Sequence, residues 1–304
     1  MRVLIATVVM AGLSIPSHWW GQAGTRNESG VASRQEAARV FGPDIISTPE
    51  GESWITFDPA GTMAVFGRHR NSGWNRHTIH ISRRDGNSWT APQVAPFSGT
   101  FEDRGARFSP DGQRLIFSSN RPRPGQGETA RQDFDLWVVE RSGNAWSEPR
   151  LLPAPISSDA NDFHASIASD GSIYFASSRP GGAGRSDLYV ATFEGGSATV
   201  RRLGPSINTA YSEPDVYIDP AQRFLILART DDPNGLGGDD LYISMRAPDG
   251  DWSAPGNLGT AVNTAEYEYG PSVSADGRTF YFTSHRGGQA NLFEIPMSAL
   301  GIRR

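Results

Sequence analysis

Short apolar segments recur along most of the chain, and turn residues separate them. Residues 115–119 (Leu-Ile-Phe-Ser-Ser) follow the turn Asp111-Gly112, and residues 280–284 (Phe-Tyr-Phe-Thr-Ser) follow Asp276-Gly277. Segments of this length, rich in aromatic and β-branched residues and bounded by Asp-Gly turns, are typical of β-strands joined in hairpins. The pattern therefore predicts an all-β protein.

The same group of segments occurs five times, about every 55 residues. Each copy opens on an acidic residue and holds four predicted strands. The opening residues are Glu52, Asp103, Asp162, Glu213 and Glu268. Four antiparallel strands per repeat are typical of a β-propeller blade, and radial repetition buries both faces of each blade. The sequence therefore predicts a five-bladed β-propeller with four-stranded antiparallel blades.

The last copy ends after its third strand. Residues 40–45 (Val-Phe-Gly-Pro-Asp-Ile) resemble 203–207 and 258–262, which follow the fourth strands of other copies. We therefore expect the N-terminal segment to supply the outer strand of the last blade and so to close the ring. This prediction makes residues 38–304 a single domain, preceded by a flexible lead-in over 24–37.

The first 23 residues have the features of a secretory signal peptide. Arg2 precedes an apolar run over 3–15, and small residues occupy positions 21 and 23. The run is too short to span a bilayer, although an uncleaved anchor is the alternative. We therefore expect a periplasmic or secreted protein that does not span the membrane after cleavage.

Composition excludes several kinds of chemistry. The chain has no cysteine, and all 28 of its basic residues are arginine. Disulfides, thiolate metal sites, cysteine nucleophiles and Schiff-base lysines are therefore excluded. The net charge is −5 and no long basic run occurs, so nucleic acid is not an expected partner.

Several motifs resemble those of a known repeat family. Ser109-Pro110-Asp111-Gly112, Arg179-Pro180-Gly181-Gly182 and Asp187-Leu188-Tyr189 are similar to the TolB-type, WD-like propeller repeat of exported bacterial proteins. The resemblance covers residues 40–295 and implies a periplasmic interaction module. The fourth copy departs from the pattern, because Asp231 stands where other copies have arginine.

The five opening acids are expected to form a ring near the axis. Such a ring could bind calcium or supply the acid and base of a sugar hydrolase. The alternative, which the repetition favours, is a scaffold in which each acid pairs with an arginine at the end of the second strand. The candidate arginines are Arg70, Arg121, Arg179 and Arg286.

The residues that follow these acids differ from copy to copy, and we expect them to line the channel mouth. They are Trp54, Arg104, Phe163, His164, Asp215 and Tyr269. Aromatic faces and polar edges together suit a sugar or peptide ligand. A plugged, water-filled channel is the alternative.

Metal sites have weaker support in the sequence, and no cofactor is expected, with calcium as the alternative. His69 and His285 occupy equivalent positions in neighbouring blades and could approach each other as metal ligands. Residues 231–240 form an acidic, oxygen-rich loop that suits calcium or is an ordinary turn.

These observations favour a non-catalytic scaffold in the cell envelope over an enzyme. Its expected partner is an envelope protein or a cell-surface glycan. The alternative is a carbohydrate-active hydrolase that uses acidic residues at the channel mouth. A metal-dependent lactonase or esterase would instead need an ion held by groups such as Glu52, Asp103 or Asp215.

Overall fold

The computed structural model describes residues 37–69 and 77–301, which form five antiparallel β-sheets arranged as the blades of a propeller. The predicted all-β, five-bladed fold is confirmed. The predicted signal peptide (1–23), nearly all of the lead-in (24–37) and Arg70 lie outside the described residues. Within those residues, no helix is long and apolar enough to cross a membrane.

Each blade is built from strands that follow one another along the sequence. Blade 1 contains β2 (Glu52–Phe57), β3 (Met63–His69), β4 (His77–Asp85), β5 (Ser88–Trp89) and β6 (Gln93–Val94). Blade 2 contains β7 (Asp103–Phe108), β8 (Arg114–Ser119), β9 (Asp135–Ser142), β10 (Ala145–Trp146) and β11 (Arg150–Leu151). In both blades the outer edge is divided into two short strands.

Blades 3 and 4 have four strands each. Blade 3 contains β12 (Asp162–Ile167), β13 (Ile173–Ser177), β14 (Asp187–Glu194) and β15 (Ser197–Arg202). Blade 4 contains β16 (Ser212–Ile218), β17 (Phe224–Thr230), β18 (Asp239–Met245) and β19 (Gly256–Asn257). The first strands of neighbouring blades pack against one another around the central axis.

Blade 5 combines strands from both ends of the described residues. It contains β20 (Glu268–Val273), β21 (Thr279–Ser284), β22 (Asn291–Pro296) and β1 (Arg39–Val40), and a short 3₁₀ helix, Met297–Leu300, follows β22. β1 pairs antiparallel with β22, with Arg39 opposite Glu294. The rest of the segment 40–45 forms a turn after β1, in agreement with its likeness to the segments that follow the fourth strands of other copies.

The core lies between the blades. Met63, Val65 and Ile79 of blade 1 pack with Leu115 and Phe117 of blade 2, all of them fully buried. Similar clusters join the other neighbouring blades. Because each sheet buries both faces against its neighbours, one blade alone could not retain this core.

A β-bulge interrupts the first strand of every blade. It begins two residues after the opening acid in blades 1, 2, 3 and 5, and it lies between Ser212 and Asp215 in blade 4. We call the five residues two positions after the opening acids the axial positions: Trp54, Gly105, His164, Asp215 and Gly270. Four of them have positive φ, at 53°, 62°, 49° and 63° for Trp54, Gly105, His164 and Gly270. Bulges re-aim side chains, and here they bring residues of different blades into contact on the axis.

Candidate functional site

All five opening acids are fully buried, and each pairs with an arginine of its own blade. The distances are 3.0 Å for Glu52–Arg68, 2.8 Å for Asp103–Arg121, 2.7 Å for Asp162–Arg179, 3.1 Å for Glu213–Arg229 and 3.8 Å for Glu268–Arg286. A serine or threonine of the preceding linker also donates to each acid. The acids therefore tie each blade to the linker before it.

The arginine reaches the acid from two different positions. In blades 2, 3 and 5 a serine faces the acid and the arginine follows two residues later, as with Ser119 and Arg121. In blades 1 and 4 the arginine itself faces the acid, at Arg68 and Arg229. The fourth blade therefore has an arginine partner after all, and Asp231 instead pairs with Arg185 at 2.7 Å.

Burial raises the pKa of Glu52 and of Glu213, although hydrogen bonds from Thr48 and Thr209 oppose the shift. Their oxygens are occupied by protein donors. Within residues 37–69 and 77–301, no group of three or more histidine, aspartate or glutamate side chains stands where it could hold a metal ion. Calcium binding by the ring stays a prediction.

Three axial positions converge on one carboxylate. Asp215 accepts a hydrogen bond from Trp54 Nε1 at 3.1 Å and from the backbone N–H of Gly270 at 3.3 Å, and its Oδ1 lies 2.9 Å from His164 Nδ1. The Trp54 and His164 rings lie 4.6 Å apart. Bulky residues seldom adopt positive φ, and such backbone strain is concentrated at functional sites. The conformation of Trp54 and His164 therefore indicates a candidate functional site here.

The two axial glycines make room for the two large rings. A Cβ at Gly105 would lie 2.5 Å from His164 Cδ2, and one at Gly270 would lie 2.9 Å from Trp54 Cδ1. Both distances are too short for a side chain. The glycines therefore permit the packing that orients His164 and Trp54.

Arg107, two residues after Gly105 in β7, links the first strands of three blades. From β7 it donates to the carbonyl of Ile55 in β2 and to the carbonyl of Pro271 in β20, both at 2.8 Å. Burial lowers the pKa of Arg107 to about 10, while the charge of Asp215 opposes the shift. The arginine therefore braces the ring across its axis.

A second carboxylate–histidine pair lies beside the first. His77 Nδ1 is 3.4 Å from Glu102 Oε1, and its ring lies 5.1 Å from that of Trp54. Burial lowers the pKa of His77, and it lowers the pKa of its neighbour His69 to about 4. These imidazoles are therefore neutral at neutral pH.

The histidines that the sequence singled out as metal candidates lie close to this pair. His69 Nε2 is 3.1 Å from Ser53 Oγ, and His285 Nε2 is 3.4 Å from the hydroxyl of Tyr269. The charge of His285 contributes to the lowered pKa of His69, as expected for neighbours. A metal bound between the two histidines stays a prediction.

Sequence reasoning placed Asp239 in the acidic loop 231–240 and did not assign it to the channel mouth. Burial raises its pKa to about 6, and the charges of Asp215 and Asp231 add to the shift. Its Oδ1 is buried and makes no hydrogen bond within the described residues. The signal was present in the sequence, because Asp239 is an additional acid directly before Asp240, which aligns with the repeated Asp-Leu-Tyr motif.

Unpartnered polar atoms gather in this region. Of the eight buried side-chain nitrogen and oxygen atoms that lack a hydrogen bond in the described part of the protein, five belong to it: His77 Nε2, Arg104 Nε, Arg107 Nε, His164 Nε2 and Asp239 Oδ1. Native proteins leave few such atoms, and each one calls for an explanation. We call these five residues, together with the axial positions and Glu102, the axial site.

The structure brings the predicted channel-mouth residues to this one site. Trp54, His164, Asp215 and Tyr269 are buried against one another, whereas Arg104 and Phe163 are partly exposed. Their role in ligand binding stays a prediction. In the acidic loop 231–240, Asp232 pairs with Arg229 and Asp240 accepts two backbone hydrogen bonds, so protein donors hold both carboxylates.

Comparison with known proteins supports the fold. No protein-family model matches the sequence, and no curated protein matches it. Solved structures do resemble it, and the resemblance to TolB-type proteins is not confirmed by them. One is a BT0996 RGII complex, with a TM-score of 0.55 and 9% identity over 86% of this protein and 90% of that one.

Two further structures give the same result. A glycoside hydrolase has a TM-score of 0.54 and 11% identity, over 84% of this protein and 92% of that one. A protein of unknown function from Dyadobacter fermentans has a TM-score of 0.51 and 13% identity, over 86% and 83%. At these identities the likeness concerns the fold alone.

Proposed function

We propose that this protein is a carbohydrate-active hydrolase that works at the axial site. The observation that carries the proposal is Asp239, a half-buried carboxyl with its pKa raised to about 6 and one oxygen without a hydrogen bond in the described residues. A carboxyl of this kind keeps its proton up to about pH 6 and can donate it to a leaving group. The opening acids are unsuited to this role because arginines hold them.

The Asp215–His164 pair is the proposed base. His164 Nδ1 is hydrogen-bonded to the carbonyl oxygen of Pro214 at 3.0 Å and lies 2.9 Å from Asp215 Oδ1, so a proton on Nδ1 leaves the lone pair of a neutral ring on Nε2. That Nε2 atom is buried and makes no hydrogen bond within the described residues. A carboxylate that orients an imidazole in this way also stabilises the cation that forms when the ring takes a proton.

Hydrolysis at this site is a single displacement. His164 Nε2 takes a proton from water while the water oxygen forms a bond to the anomeric carbon. The bond from that carbon to the leaving oxygen breaks, and Asp239 gives its proton to the leaving oxygen. Solvent then carries the proton from His164 back to Asp239, which restores both groups.

The test is hydrolysis of a panel of neutral and acidic oligosaccharides by the exported protein, followed by the appearance of new reducing ends. Asp239→Asn is expected to lower the rate at least 100-fold. The matched control is Asp251→Asn, which removes an exposed carboxylate outside the axial site. The wild-type rate should fall as the pH rises above about 6, where Asp239 loses its proton. An unchanged rate in Asp239→Asn would contradict the proposal.

A non-catalytic scaffold is the second candidate. It is favoured by the close packing of Trp54, His164 and Tyr269, beside which Phe163 is partly exposed and Tyr267 is 41% exposed. Such a protein would bind an envelope protein or a cell-surface glycan. It would retain the glycans of the panel without releasing products, so the same assay separates the two candidates.

We also propose export to the periplasm or the medium. The charge, apolar run and small residues of positions 1–23 support it. The intact mass of the exported protein tests it: loss of the first 23 residues is expected, and their retention would contradict cleavage at this site.

A further inference from the structure

Arg104 differs from every other arginine with a buried or half-buried side chain in the described residues. No hydrogen bond from its guanidinium group is found within residues 37–69 and 77–301, and the nearest carboxylate oxygen, Glu102 Oε1, is 3.9 Å from Nη1. Its Nε is buried and unpartnered, while 24% of the side chain is exposed. The guanidinium group is therefore partly accessible, and its long ion pair with Glu102 leaves its N–H groups without a hydrogen-bond acceptor in the described residues.

The other arginines of this environment are bonded. Arg121, Arg179 and Arg229 donate to acids, and Arg107 donates to two carbonyl oxygens. A buried charge without a hydrogen-bonded partner is costly, and its retention needs a reason. Binding of an anionic ligand is such a reason.

The guanidinium group is held in a fixed orientation. Its central carbon lies 3.8 Å from the centroid of the Phe134 ring, so the ring supports one face of the planar cation. Parallel N–H groups in a fixed plane match the two oxygens of a carboxylate. A flexible lysine would not provide this match.

Neighbouring charges define which anion fits. Burial lowers the pKa of Arg104, and the charges of Glu102 and Asp215 oppose that shift, so both acids lie near the cation. Glu102 is also bonded to His77, and Asp215 to Trp54. Because these two carboxylates repel negative charge, a singly charged carboxylate suits the site better than a phosphate dianion.

We propose that Arg104 binds the carboxylate of an acidic sugar, so that the ligand of the axial site is a uronate-containing glycan. This inference rests on the proposed function, which makes the ligand a glycan, and it specifies that this glycan is acidic. At the repeat position of Arg104, three other copies have Ser53, Phe163 and Tyr269, so this recognition depends on one blade.

The test is an NMR titration of the exported protein with digalacturonate and with digalactose, its neutral counterpart. The acidic disaccharide is expected to bind at least 10-fold more tightly. Arg104→Gln should remove this preference, and Arg104→Lys should restore part of it. The matched control is Arg84→Gln, which removes another arginine stacked on an aromatic ring, 4.6 Å from Trp89. Unchanged unfolding midpoints exclude loss of the fold.

Acetate and inorganic phosphate form separate arms of the titration. Tighter binding of phosphate than of acetate would overturn the assignment of a carboxylate. Equal binding of the acidic and neutral disaccharides would overturn the proposal as a whole. An Arg104-dependent preference without any hydrolysis would leave this inference standing and contradict the hydrolase. Hydrolysis of neutral glycans that Arg104→Gln leaves unchanged would support the hydrolase and contradict this inference.

Discussion

The ion pair of Asp103 and Arg121 gives the most direct test of how the ring is held together. Arg121 Nη2 lies 2.8 Å from Asp103 Oδ1, and the carboxylate is fully buried. Its other side-chain donor is Ser98 Oγ, at 2.7 Å. Arg121→Met therefore leaves a buried carboxylate without its counter-charge. Breaking a buried pair in this way costs about 3–5 kcal/mol of unfolding free energy.

Substitution of the other partner, Asp103, should cost less unfolding free energy. Asp103→Asn keeps an oxygen that accepts from Arg121, and the hydroxyl of Ser98 can turn to accept from the new amide. We expect a loss of about 1–2 kcal/mol. In the double variant no charge remains unpaired, so its loss should be at least about 1 kcal/mol smaller than the sum of the two single losses.

Equilibrium unfolding in urea at pH 7, followed by tryptophan fluorescence, measures all four proteins. Arg114→Met is the control, because that side chain is exposed, and it should change the unfolding free energy by less than about 0.5 kcal/mol. A loss below about 1 kcal/mol for Arg121→Met would refute the reasoning. So would strict additivity in the double variant.

Three further predictions concern the axial site and His69, which lies beside it. Asp239→Asn should stabilise the fold by about 2–3 kcal/mol at pH 7.5 and should not stabilise it at pH 4, as urea unfolding at both pH values can measure. The folded pKa of Asp239 is about 6 and exceeds the unfolded value, so burial of this carboxyl costs folding free energy only at a pH where it is ionised. Gly105→Ala should destabilise by about 2–4 kcal/mol, since its Cβ would meet His164, whereas Gly61→Ala, with the same sign of φ and open space, should cost about 1 kcal/mol in the same assay. His69→Gln should reduce the loss of stability between pH 7 and pH 4 by about 2 kcal/mol. The pKa of His69 is lowered to about 4 in the folded protein, so as the pH falls the unfolded chain binds a proton first, and this favours unfolding. An unchanged pH dependence of the unfolding free energy would contradict this.

The repeat pattern was sufficient to predict the blades and the acid–arginine pairing, but not each partner. Arginine was assigned by its position after the second strand, at Arg121 and Arg179. Its side chain is long enough to reach the same acid from two places, so Arg68 and Arg229 serve in blades 1 and 4. Alignment by position alone cannot show this equivalence.

The geometry of the axial site was harder to predict. Gly105 and Gly270 stand at the same repeat position, which signals positive φ there, but Trp54 and His164 adopt the same conformation without that signal. Side chains that point at the axis come from blades far apart in sequence. Their contacts depend on closure of the ring and cannot be read from any one repeat.

The axial positions have a consequence for redesign. Trp54 faces Gly270 and His164 faces Gly105, so each large ring occupies space that a missing side chain leaves. A large residue can therefore move to another blade only when a glycine is moved with it. A double substitution such as Trp54→Gly with Gly270→Trp would exchange a large ring and a glycine between two blades. It would change which blade carries the ring beside Asp215, while the acid–arginine ion pairs stay in place. A library built on such exchanges would vary the shape of the axial site while the ion-paired ring stays unchanged.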